Sequence, residues 1–219
     1  MIKNIIFDFD GVLVDSEMLV AKSFSKYLAN RNINFTEKNF SIYAGKKTVQ
    51  IIDELSNKFD IPNKKEFFED IMDIANNIYS QELVPIMGAK EFITKNNYNF
   101  FIGSNSVKKR ILFGLKKVKF ENFFEENKIF SFDMIKEPKP HPDVYLAAIK
   151  VHNLNKEETL IIEDSPVGVK AGVAAGVKVV GLTAGGHWHE ERSTNELLNA
   201  GAFIVVSSYE SLLEEISNL

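Results

Sequence analysis

Two aspartates, Asp8 and Asp10, stand one residue apart where the run Ile5-Ile6-Phe7 breaks off. Residues two apart on a strand point to the same side, so the two carboxylates are expected close together at the end of a core element. A second acidic pair, Glu163-Asp164, closes the run Leu160-Ile161-Ile162, and a third apolar run ends in Gly103-Ser104-Asn105-Ser106. If these run ends gather at one edge, four carboxylates share a small volume, repel, and raise each other's pKa unless a cation holds them. The chain has no cysteine, so oxygen donors dominate. The hard ion Mg2+ is the natural partner, usually kept by one or two carboxylates, waters and substrate phosphate. That combination points to phosphoryl chemistry. Ser104 and the backbone amides around Asn105 suit phosphate oxygens at a helix start, and Lys139, stiffened between Pro138 and Pro140, suits neutralising the anion.

Each piece also has a plainer reading. Asp10-Gly11 makes a turn, Ser106 and Ser165 make helix caps, and "KPHP" makes a loop whose Pro142 opens a helix. For Ser106, Ser165 and Pro142 the plainer reading is preferred. For Asp8, Asp10, Lys139 and Glu163-Asp164 it is not: acidic residues recur at two run ends, beside a constrained lysine and a Ser-Asn cradle.

The elements that must position these groups follow from the apolar pattern. After the opening strand, the segment 16–85 has helical spacing, as in "EMLVAKSFSKYLANR", "KKTVQIIDELSNKF" and "KKEFFEDIMDIANNIYSQEL". It reads as a helical insertion of four helices. From residue 86 the pattern alternates: strands at "YNFFIGS", "KIFSF", "TLIIEDS", "VKVVGLT" and "AFIVVS" are separated by stretches with helical spacing. The expected fold class is α/β, a Rossmann-like parallel sheet formed by 1–15 and 86–219, with ligands bound outside the carboxyl ends of its strands.

Bulk properties narrow the function. At 219 residues and 45% hydrophobic, the chain can bury a sizeable core. Its net charge of -4 carries no block of basic residues, so no nucleic-acid surface is expected and a small-molecule partner is the default. No stretch has the length of a transmembrane helix, and the first apolar run is too short for a signal peptide. The expectation is an intracellular, cytoplasmic protein, a monomer with no membrane partner.

The motifs resemble the haloacid dehalogenase superfamily of aspartate-nucleophile phosphatases, and within it the β-phosphoglucomutase-like and sugar-phosphatase group with a helical cap. "DFDGVLVDSE" is similar to the first family motif, "FFIGSNS" to the second, "KPHPD" to the third and "IIEDSPVGVKAGVAAG" to the fourth. The resemblance implies that Asp8 is the nucleophile and Asp10 the general acid and then base. It also implies that Ser104, Asn105 and Lys139 bind the phosphoryl group. Mg2+ is implied at Asp8, the carbonyl of Asp10 and Asp164, with Glu163 in direct or outer support. "YAGKKT" resembles the group's specificity loop, which implies that Gly45, Lys46 and Lys47 meet the substrate, a basic pair suited to a second anionic group; the plainer reading of the pair is a solvated helix start.

Departures from the family pattern bear on substrate. Dehalogenases of the superfamily lack an acid like Asp10, which favours phosphate over a carbon-halogen bond. The β-phosphoglucomutases carry a histidine where this chain has Val20, which favours hydrolysis over a mutase reaction. His187 and His189, with Glu190 and Glu191, resemble zinc ligands only weakly, since alternating spacing in a Gly-rich loop is a poor template. That stretch reads as a loop beside the site, with Trp188 either a substrate wall or a lid. The expected activity is a Mg2+-dependent phosphatase acting on a small phosphate ester, a sugar phosphate or sugar-acid phosphate. The alternatives are a phosphomutase and a non-catalytic phosphometabolite-binding protein.

Overall fold

The computed structural model describes residues 1–43, 48–189 and 192–219. Gly45, Lys46 and Lys47, and likewise Glu190 and Glu191, lie outside the described residues. The chain divides into two compact units, one of Met1–Asp15 with Val84–Leu219 and one of Ser16–Leu83.

The first unit begins with strand β1 (Asn4–Phe7), whose residues are all buried, as a strand covered on both faces requires. The second unit follows in the chain and holds helices α1 (Glu17–Ala29), α2 (Glu37–Phe40), α3 (Thr48–Lys58) and α4 (Lys64–Glu82). Phe24, Tyr27, Leu28, Phe40, Leu55 and Phe67 form its core, with Tyr27 stacked on Phe67 at 4.2 Å between ring centroids. Asn63 starts α4 by accepting from the backbone N–H of Glu66 at 3.2 Å, and its own amide donates to the Glu66 carboxylate. Val20 packs against the same apolar cluster.

The chain returns to the first unit at Val84. Val84 and Pro85 pair with residues 14 and 15 rather than with the helices: the Asp15 N–H donates to the Val84 carbonyl, and Val14 bridges Pro85. Then come α5 (Ala89–Lys95), β2 (Asn99–Gly103), α6 (Lys108–Lys117), β3 (Ile129–Phe130), α7 (Asp143–His152), β4 (Thr159–Glu163), α8 (Pro166–Ala174), β5 (Lys178–Leu182), α9 (Asn195–Asn199), β6 (Ile204–Val206) and α10 (Tyr209–Ser217). Among the described residues the strands form one six-stranded sheet in the order β3-β2-β1-β4-β5-β6. Every pairing is parallel, as the strand-helix alternation predicts. With Phe7 in register with both Ile102 and Ile162, the carboxyl ends of β2, β1 and β4 lie side by side. β3 is shorter than "KIFSF" suggests, because Phe132–Met134 turns into a 3-10 helix. No helix among the described residues is long and apolar enough to cross a membrane.

Candidate active site

β1 ends at Phe7, and the Asp8 N–H still donates to the Ile162 carbonyl at 2.9 Å, which anchors Asp8 beside β4. The backbone then folds back: the N–H groups of Leu13 and Val14 both donate to the Phe9 carbonyl. Phe9 is fully buried, so it is a core anchor as well as a spacer. Gly11 turns the chain at φ +79°, and a Cβ there would lie 1.8 Å from Asp164 Oδ2. Only glycine permits both this conformation and this approach.

Lys139 Nζ donates to Asp8 Oδ1 at 2.7 Å and to Glu163 Oε1 at 2.6 Å, with all three side chains buried. The lysine backbone is clamped by Asn105, whose Oδ1 accepts from the Lys139 N–H at 2.9 Å. The Asn105 side chain thus fixes the lysine, while the part of Asn105 expected on the phosphate is its backbone amide. Ser104, on the neighbouring strand end, is also buried, and its Oγ accepts from the Ser106 N–H at 3.0 Å.

Glu163 accepts from several donors at once. Tyr145 OH donates to its Oε1 at 2.7 Å, while the Asp164 and Ser165 N–H groups and the Ser165 hydroxyl donate to Oε2. A carboxylate offers about four acceptor sites, and these donors with Lys139 take them. A Cβ on Gly168 would sit 1.7 Å from Glu163 Oε1, so glycine in the first turn of α8 makes the room this carboxylate occupies. Ser165 also caps α8 by accepting from the Gly168 N–H, as its plainer reading has it.

Asp8, Glu163 and Asp164 bring carboxylate oxygens within 4.8 Å of one another. Among the described residues this group does not include Asp10, so the expected cluster of four is one of three. Asp10 turns to other partners: the Ser106 hydroxyl donates to its Oδ2 at 2.6 Å, and Arg110 approaches its Oδ1 at 3.6 Å. Ser106 is therefore no cap, and the preferred plain reading of it is corrected. Val107 holds the N-cap position of α6, and the freed hydroxyl serves Asp10.

Burial pushes the Asp8 carboxyl well above the usual carboxylate range; Lys139 opposes this, and Glu163 and Asp164 add to it. Burial and then Glu163 push Asp164 up as well. Burial alone would lower Lys139, but Asp8 and Glu163 outweigh it and hold its pKa above the ordinary value. The surplus of negative charge, beside a Glu163 already saturated, fits a divalent cation at the oxygens of Asp8 and Asp164. Glu163 fits the support of Lys139 better than metal ligation.

Sequence reasoning missed two contributors and placed a third, His187, only in a loop beside the site. Tyr145 lies in the first turn of α7, where an aromatic reads as core. Arg110 reads as a solvated helix face. His187 Nε2 lies 3.0 Å from Asp164 Oδ2, so the loop singled out for its histidines does reach the site, through one of them and toward a carboxylate rather than zinc.

A family model described as haloacid dehalogenase-like hydrolase matches residues 5–182. The 6-phosphogluconate phosphatase of Escherichia coli is 28% identical over 189 residues, which cover 85% of each chain. The phosphorylated carbohydrates phosphatase of Thermotoga maritima is 25% identical, with 95% of each chain covered. Among solved structures, a conserved haloacid dehalogenase-like protein of unknown function from Agrobacterium tumefaciens superposes with a TM-score of 0.89 at 27% identity, covering 100% of this chain and 99% of that one.

Proposed function

The chain belongs to the haloacid dehalogenase-like hydrolase family, and on that footing we propose that it is a Mg2+-dependent phosphatase that releases phosphate from a phosphorylated sugar or sugar acid by way of an aspartyl-phosphate. The observation that carries this reading is the division between Asp8, buried against Lys139, and Asp10, set apart on the Ser106 hydroxyl. The relatives named for phosphogluconate and for phosphorylated carbohydrates support the substrate class.

A carboxylate oxygen of Asp8 attacks phosphorus and the bond to the leaving oxygen breaks, while Asp10 gives that oxygen its proton. Asp10 then takes a proton from the water that attacks the aspartyl-phosphate, which frees phosphate and restores Asp8. Lys139 and Ser104 face the transferring group, and Lys139 offsets charge that spreads over its oxygens in a loose transition state. Glu163 and Asn105 hold Lys139 in place. Mg2+ at Asp8, Asp164 and the Asp10 carbonyl would supply charge neutralisation between the nucleophile and the phosphate.

Val20, at the position where β-phosphoglucomutases carry a histidine, packs with the apolar core of the helical unit. This supports hydrolysis over return of the phosphoryl group to a sugar. The test is phosphate release from a panel of phosphorylated sugars and sugar acids, with and without Mg2+, for the wild type and Asp8→Asn. The reading expects Mg2+-dependent release, loss of it in the variant, and one added phosphoryl mass on the rapidly quenched wild type. Release by Asp8→Asn at near the wild-type rate overturns the mechanism. Isomerisation of β-glucose 1-phosphate in place of phosphate release makes the protein a mutase.

A further inference from the structure

The loop that follows β5 carries a histidine for which the phosphatase reading has no role. Its backbone is built into the first unit at several points. The Gly186 N–H reaches both oxygens of Asp15 at 3.3 and 3.2 Å, tying the loop to the turn after β1. The Trp188 N–H donates to the Gly185 carbonyl at 3.0 Å, the indole packs against the sheet core, and the Arg192 guanidinium lies 3.8 Å from the indole ring centroid. Arg192 is in turn fixed by Glu196 at 2.9 Å.

The imidazole of His187 lies between two glycines. A Cβ on Gly185 would come 2.8 Å from its Cε1 and Nδ1, and a Cβ on Gly11 would come 3.1 Å from its Cε1. These absent side chains leave the ring the space it fills, with its Nε2 at 3.0 Å from Asp164 Oδ2. Asp164 is ionised when it ligates a cation, and a carboxylate only accepts, so the nitrogen facing it then carries the proton. We propose that His187 is a positioning residue for the metal site: its Nε2–H holds Asp164 Oδ2 and so orients this carboxylate toward a divalent cation. The proposal rests on the Mg2+ reading of the site. Partners of this kind, one bond removed from the ion, fix ligand orientation, and their loss typically weakens metal binding by about 10- to 100-fold.

Calorimetric titration of Mg2+ into the wild type, His187→Ala and His187→Gln tests it, with thermal unfolding of each metal-free protein alongside. His187→Ala is expected to weaken Mg2+ binding by about 10- to 100-fold, while His187→Gln, which keeps a donor near the same point, recovers most of the loss. In the alanine variant the Mg2+ concentration for half-maximal rate rises in step with the titration. Wild-type affinity in His187→Ala overturns the proposal, and so does a glutamine variant no better than alanine. A lowered unfolding midpoint with unchanged affinity makes the contact a loop latch and overturns it too. If alanine does not fold, His187→Leu, which fills the space without a donor, takes its place. A wild type that binds no Mg2+ removes the premise, whereas a wild type that binds it and variants that bind it equally remove the proposal alone.

Discussion

Asp8 and Asp10 are separated by one residue, yet they sit in different physical settings. Asp8, with its side chain 11% exposed, is buried with Lys139, Glu163, Tyr145 and Asp164, where each charge depends on a partner because little water reaches the cluster. Asp10, with its side chain 18% exposed, meets a hydroxyl and a more distant guanidinium. A nucleophile that must carry charge at a fixed place suits the deep end, and a group that must exchange protons with leaving oxygen and water suits the shallow one. The contrast also separates two kinds of consequence: damage at the deep end strikes folding and chemistry together, and damage at the shallow end strikes chemistry alone.

The strongest way to break that distinction is Lys139→Met. It strands Asp8 and Glu163 without their shared cation, and breaking a buried ion pair by removing one partner costs about 3–5 kcal/mol. Unfolding in denaturant should show that loss, and phosphate release should fall by about 10²- to 10³-fold or more. A variant as stable as wild type would place the deep cluster closer to water than its burial implies. Asp10→Asn is the counterpart. Loss of a positioned acid and base slows turnover by about 10²- to 10⁴-fold, while stability changes by about 1 kcal/mol or less, because partly exposed pairs contribute little.

The same contrast explains what the sequence reveals. Apolar runs that stop abruptly at Asp8, Ser104 and Glu163 mark the ends of adjacent parallel strands, since a strand covered on both faces has nowhere else to place charge. Lys139 is legible because prolines frame it. What stays hidden is pairing across the fold. Ser106 before a helix reads as a cap until Asp10 is seen 2.6 Å away. Glu163 reads as a direct or an outer support of the metal until its donors are seen, and Tyr145 reads as core because its ring is core and only its hydroxyl is not. The Asn105 side chain turns to Lys139 across 34 residues of chain, a contact no local pattern encodes.

The buried carboxylates also make metal binding depend on pH. Asp8 and Asp164 have folded pKa values raised above 3.8, so the metal-free folded state holds more protons than the unfolded state. Its stability therefore falls as pH climbs from the ordinary carboxylate range through those raised values. Lys139, also raised, contributes stability that is lost only above 10.5, outside this window. Mg2+ favours the ionised carboxylates. The stabilisation against unfolding on adding it should be larger near neutrality, about 2.7 kcal/mol at a hundredfold excess over the Kd there, and shrink in mild acid. An increment independent of pH would detach the metal from Asp8 and Asp164.

The smallest effect is the most selective. Ser106→Ala removes the hydroxyl that donates to Asp10 Oδ2 at 2.6 Å and leaves Asp8, Lys139 and Glu163 untouched. Asp10 is partly exposed, so water replaces the lost bond in part, and the expected cost is about 1 kcal/mol, roughly fivefold in rate. That cost should fall only where Asp10 must deliver a proton. A sugar phosphate leaves as an alkoxide and needs the acid, so its kcat/KM should drop by roughly that factor. An aryl phosphate such as p-nitrophenyl phosphate leaves as a stable anion and does not, so its formation of the aspartyl-phosphate should be nearly unchanged. Equal losses on both substrates would mean that Ser106 shapes the phosphate cradle through Ser104 and its own N–H instead, and would move it from the shallow end of the site to the deep one.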